Sequence, residues 1–131
     1  MSGFDAVVGA GTLRGSGTDL VRFPHRWTSA GVTVEVSFTG AHLLHLAAAG
    51  CVLNDVYREA ERLGLVVHGV RVTASGDFDT DTWHSTGISY VIDVDSPASV
   101  DELEALLEAV DTVAEIPKSI RAGAPVVRSP A

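Results

Sequence analysis

TGAHLLHLAAAGCVLNDVYREAERLG, residues 39–64, carries the signals of one long helix. Thr39 is an N-cap residue and Gly64 stands where a left-handed C′ residue ends a helix. No proline intervenes, so the segment spans about 36 Å at 1.5 Å per residue. Leu43, Leu44, Leu46, Ala47, Ala48, Ala49, Cys51, Val52 and Leu53 make its first half apolar nearly all round. Its second half is amphipathic, with Asp55, Arg58, Glu59, Glu61 and Arg62 set against Val56, Tyr57, Ala60 and Leu63. A helix apolar on every side is expected to be buried on every side. Ala47, Ala48, Ala49 and Gly50 would let another backbone come close, and the chain's single cysteine lies among them.

The segments on either side read as strands. GVTVEVSF, residues 31–38, alternates Val32, Val34, Val36 and Phe38 with Thr33, Glu35 and Ser37, as a half-buried strand does. Before it, strands are expected within residues 4–13 and 19–23, separated by a glycine-rich turn and stopped by Pro24. The glycines of GAGTLRG match no phosphate-binding spacing, and no helix pattern follows them. After Gly64, residues 65–79 read as a long strand with Val66, Val70 and Val72 in the core and Gly69 as a bulge. GDFDTDTW is a polar turn, and GISYVIDV, residues 87–94, pairs back on that strand as an antiparallel hairpin. Ser99-Val-Asp-Glu102 is a capping box opening a second helix, striped by Leu103, Leu106, Leu107, Val110 and Val113 and ended by Pro117. Ile120 and residues 124–127 supply a short last helix and strand. The whole is an α+β fold in one domain, residues 1–131.

Bulk properties exclude several classes of function. A net charge of −8 argues against nucleic acid and against anionic membranes as partners. One cysteine cannot close an internal disulfide, and MSGFDAVVGA lacks the basic and apolar regions of a signal peptide. A soluble, cytoplasmic chain is expected.

Chemistry-bearing residues are few. Cys51 lacks local activation, because it stands about three turns from its helix's start with Asp55 one turn on. An activating cation must therefore come from another element or a second subunit, with Arg14, Arg22 and Arg26 available. His25-Arg26-Trp27 either lines a pocket or ends a strand with Trp27 packed and Arg26 solvated. His42 and His45, three apart, could share a metal, but two imidazoles need a third ligand and none is indicated. No metal site and no cofactor is expected.

The helix and its surroundings resemble the OsmC/Ohr family of thiol-dependent hydroperoxide reductases. The matching text is Leu43-Leu44, then Ala47-Ala48-Ala49-Gly50-Cys51, then REAERLGLVVHGVRVTASGDFD, followed by the capped helix from Ser99 and the proline at 117. The resemblance implies an antiparallel sheet wrapped around a long central helix, in an intertwined homodimer with its cysteines near the interface. It implies that Cys51 attacks a hydroperoxide and that an external thiol restores it. Arg26 is the cationic helper chosen from the N-terminal arginines, with His42, His25 and Trp27 as ligand-binding neighbours. Two positions depart from the family. Ile116 stands before Pro117 where the family has its second cysteine, and Gly40-Ala41 replaces the family's Pro-Glu at the helix opening. The alternative reading is a non-catalytic dimer that binds a small molecule in its interface pocket, with Cys51 only packed.

Overall fold

The structure is a computed structural model, and it describes residues 3–130. The long helix α1 runs Gly40–Leu63, within the expected caps. Thr39 Oγ1 accepts from the His42 N–H, which holds the first turn closed. At the other end Gly64 adopts φ 70°. The Gly64 N–H reaches the Glu61 carbonyl and the Leu65 N–H the Ala60 carbonyl, the two bonds of a Schellman closure.

Before α1 lie strands β1 (Ala6–Gly11), β2 (Val21–Phe23) and β3 (Val32–Glu35). After it come β4 (Gly69–Phe78), β5 (Ser85–Asp95) and helices α2 (Val100–Val113) and α3 (Glu115–Ala122). The strands form one antiparallel sheet in the order β2-β3-β1-β4-β5. The expected hairpin is β4–β5, paired from Gly69↔Asp95 to Phe78↔Ser85 with a register shift between Asp77 and Phe78. Alternation places Ala6, Val8, Ala10, Val34, Val70, Val72 and Ala74 on the covered face. They close a core with Val52, Leu53 and Val56 of α1 and Leu106 and Val110 of α2. No helix among the described residues is long and apolar enough to cross a membrane.

Several local expectations are corrected. The strand read over residues 31–38 ends at Glu35, and Phe38 is 90% exposed. Thr33, on the other face, is nonetheless buried, because the loop after β1 folds over it. Its hydroxyl donates to the Gly9 carbonyl and accepts from the Gly15 N–H at 2.8 Å. Val66 is exposed rather than core, since β4 starts only at Gly69 after the helix closure. Gly69 is no bulge. A Cβ there would lie 2.3 Å from Thr12 Oγ1 and 2.7 Å from the Leu13 nitrogen, so the residue is glycine because β1's loop crosses it.

Pro117 does not end the second helix. The break is at Ala114, with ψ 109°, and Pro117 lies in the first turn of α3, where its missing N–H would have had no acceptor. Residues 124–127 form no strand, and Val126 and Val127 are exposed. Nor is α1 buried all round within one chain. The sheet covers one side and α2 and α3 another. Between them Leu43 and Gly50 stay half-exposed, Ala47 and Asn54 are open, and a Cβ at Gly50 would meet nothing within 4 Å.

Candidate functional site

Cys51 projects from the middle of α1 towards the junction between α2 and α3. Helix α3 has Ala114 at its N-cap, with no side-chain oxygen to receive its first amides. The Cys51 thiol faces that end, and the backbone N–H groups of Ile116 and Glu115 act on it to lower its pKa. A helix N-terminus thus does reach the cysteine, but it belongs to α3 rather than to α1. Such donors favour thiolate.

Three effects oppose them. Burial pushes the Cys51 thiol up from its ordinary value, and the carboxylates of Asp55 and Glu115 push it further. The net direction is up. Asp55 shares this crowding: burial raises its carboxyl, Arg58 opposes, and Glu115 and Glu59 add to the rise. Arg58 bonds Asp55 Oδ1 at 3.0 Å, while Oδ2 is buried without a hydrogen-bond partner. The sulfur, one oxygen of Asp55 and one of Glu115 all lie within 4.8 Å of one another.

A cavity of about 320 Å³ lies between α1, β5 and α3, and none of the three cluster residues lines it. Its lining is mostly apolar, with Ala48 from α1, Ile88 and Tyr90 from β5 and Pro117 and Ile120 from α3, beside Ser85 and Gly87. Arg121 is its cation, paired with Asp111 at 3.0 Å. The Tyr90 hydroxyl donates a short hydrogen bond to Asp111. Burial and then the Asp111 carboxylate push Tyr90 up to about 12.

The residues named from sequence fall into separate places. His25, Arg26 and Trp27 do come together, against the later turns of α1. Trp27 stacks on Tyr57 with ring centroids 6.3 Å apart, and its Nε1–H donates to Glu61. Arg26 lies over the Trp27 ring at 5.5 Å. His25 bonds Thr28 through Nδ1 and Asn54 through Nε2. His42 sits at the start of α1, bonded to the Thr39 hydroxyl and edge-on to Phe4. His45 is fully buried and donates from Nδ1 to the Phe4 carbonyl at 2.7 Å, so the two helix histidines differ in hydrogen-bond partner although both touch Phe4. Within the chain, the charges acting on the Cys51 sulfur are those of Asp55 and Glu115.

Sequence reasoning missed Glu115 and Arg121. A signal existed for the first: Ile116 stands where the family resemblance puts a second thiol, and its backbone N–H acts on the Cys51 thiol. Arg121 carried no such signal, because its place at the cavity depends on how α3 packs on α1.

The sequence model of the family described as OsmC-like protein matches residues 28–128. No individually curated protein matches the sequence. Among solved structures, the chain is similar to an OsmC-like protein from Mycoplasma pneumoniae at 12% identity and TM-score 0.60, covering 82% of this chain and 89% of that one. It is also similar to an OsmC-like hydroperoxide resistance protein from Jannaschia sp. CCS1, at 16% identity and TM-score 0.51, covering 96% and 92%. At these identities the likeness is one of fold.

Proposed function

The chain belongs to the OsmC-like family, and on that premise we propose that it reduces hydroperoxides at Cys51, with an external thiol as reductant. The observation that carries this is the Cys51 sulfur at the uncapped N-terminus of α3, whose backbone N–H groups act on it in the direction of thiolate. The thiolate attacks the outer oxygen of the peroxide. The O–O bond breaks, the inner oxygen leaves as an alcohol after taking a proton, and sulfenic acid forms on Cys51. One external thiol condenses with the sulfenic acid, releasing water and leaving a mixed disulfide. A second thiol then attacks that disulfide, freeing Cys51 and leaving with the first as the oxidised reductant.

The reading also places the chain in a homodimer, supported by the open strip of α1 at Ala47, Gly50 and Asn54. Among the described residues no cation of the same chain acts on the Cys51 sulfur, so the arginine that polarises the peroxide would come from the partner protomer, with Arg26 and Arg121 as the candidates. The second reading is a dimer that binds a small apolar molecule in the cavity between α1, β5 and α3. It is favoured by burial and by the carboxylates of Asp55 and Glu115, which together push the Cys51 thiol above its ordinary value.

The test is peroxide consumption by the reduced protein with a dithiol, in chelator-treated buffer. Cys51→Ser should abolish it, and Arg121→Met or Arg26→Met should slow it roughly a hundredfold, as loss of one positioned donor does. Light scattering of the same samples should give two chains per particle. Cys51 unmodified by intact mass, under peroxide that fully oxidises a free-cysteine control, would overturn the redox reading in favour of the binding one.

A further inference from the structure

The same cluster has a second property that peroxide chemistry does not use. Cys51, Asp55 and Glu115 present a sulfur and two carboxylate oxygens within 4.8 Å of one another, and no imidazole belongs to the group. We propose that these three side chains bind a thiophilic divalent cation of the zinc class.

Asp55 points to a ligand independently of the clustering. Its side chain is only 4% exposed, yet Arg58 occupies Oδ1 alone and the buried Oδ2 has no hydrogen-bond partner. A carboxylate oxygen taken from water and left unpaired is costly, and native structures seldom leave one so. A cation held between Asp55, Cys51 and Glu115 gives the buried carboxylate a second partner beside Arg58 and offsets the repulsion among three groups that are anions when coordinated.

Geometry and chemistry both suit zinc. Bonds of about 2.3 Å to sulfur and about 2.1 Å to oxygen put tetrahedral ligand atoms about 3.5 Å apart. The cluster need contract by only about 1 Å, and Glu115 is exposed and free to swing. The Ile116 and Glu115 N–H groups that act on the sulfur are of the kind a metal-bound thiolate uses in its outer shell. Thiolate disfavours magnesium and calcium, which take oxygen. Three protein ligands leave the fourth position to water, towards the solvent side where Glu115 lies. Because the site uses the Cys51 sulfur, an ion there competes with peroxide, but binding the ion needs no peroxidase activity.

The experiment titrates the reduced, metal-free full chain with Co²⁺ and follows the near-ultraviolet thiolate-to-cobalt charge-transfer band, then displaces Co²⁺ with Zn²⁺. One ion per chain and a band lost on zinc addition are expected. Cys51→Ser should remove the band. Asp55→Asn and the exposed Glu115→Gln, which cannot disturb the core, should each weaken binding by at least the roughly ten- to hundredfold that loss of an outer partner costs. His68→Asn and His84→Asn should change nothing. No band at millimolar-order Co²⁺, or a band unaffected by Glu115→Gln, would overturn the proposal. Peroxide consumption is measured separately with chelator present, so failure of either reading leaves the other's result standing.

Discussion

Replacing Ile116 by cysteine tests the placement of Cys51 against α3 directly. The Ile116 N–H is near enough to the Cys51 sulfur to lower its pKa, which puts the backbone at residue 116 in the neighbourhood of the thiol. A disulfide between positions 51 and 116 closes a loop of about 65 residues, for which the chain-entropy account gives about 4 kcal/mol at most. Exchanging the half-buried Ile116 for a smaller side chain costs about 1 kcal/mol in lost packing. A net gain of about 2–3 kcal/mol is expected on oxidation, which raises the melting temperature by roughly 8–12 °C for a chain of this size. The assay is a thiol count with thermal unfolding of Ile116→Cys, oxidised and reduced. Oxidation should take two free thiols to none within one chain, and peroxide should then drive intramolecular disulfide formation. Two thiols surviving an oxidant that closes a control disulfide would refute the placement. So would cross-linking found only between chains on a non-reducing gel.

Two further outcomes follow from other parts of the fold. Gly69→Ala forces a Cβ to within 2.3 Å of Thr12 Oγ1 and 2.7 Å of a backbone nitrogen, and should destabilise the chain by about 2 kcal/mol or more in urea unfolding; an unchanged midpoint would mean the loop after β1 does not cross Gly69. Tyr90 is held protonated by burial and Asp111 and pushed up to about 12. Since its folded value lies above the unfolded value of about 10, its contribution is complete below pH 10 or so and is lost as pH rises towards 12. Tyr90→Phe should flatten this alkaline loss, and a wild-type stability unchanged across that window would contradict the assignment.

The secondary structure was legible wherever its causes are local. Thr39 and Gly64 bound α1 because an N-cap oxygen and a left-handed glycine each satisfy amides or carbonyls within the same few residues. Ser99 and Glu102 form the capping box for the same reason, with both reciprocal bonds present. The β4–β5 hairpin followed from period-two alternation across one polar turn. The reading failed where a local pattern met a distant neighbour. Thr33 is polar yet buried because the loop after β1 covers it, and Val66 is apolar yet exposed because the helix closure delays the start of β4. Pro117 marked an end by its type, whereas the angle at Ala114 turned it into the first turn of a new helix.

By itself, then, the sequence determined the long helix, its caps, the strand periodicities, the resemblance in kind to a thiol-dependent family, and the absence of a second cysteine before Pro117. The surroundings of Cys51 were decided only in the tertiary structure. On α1 alone the sulfur has Asp55 one turn away and no helix end within reach. Folding brings the N-terminus of α3 to it from more than sixty residues along the chain, together with Glu115 and the cavity that Arg121 serves. The physical reason is that hydrogen bonds within a few residues depend on residue type and spacing, which a sequence displays. The field at a buried thiol depends on which surfaces meet and at what angle, and that is settled by the packing of α3 on α1.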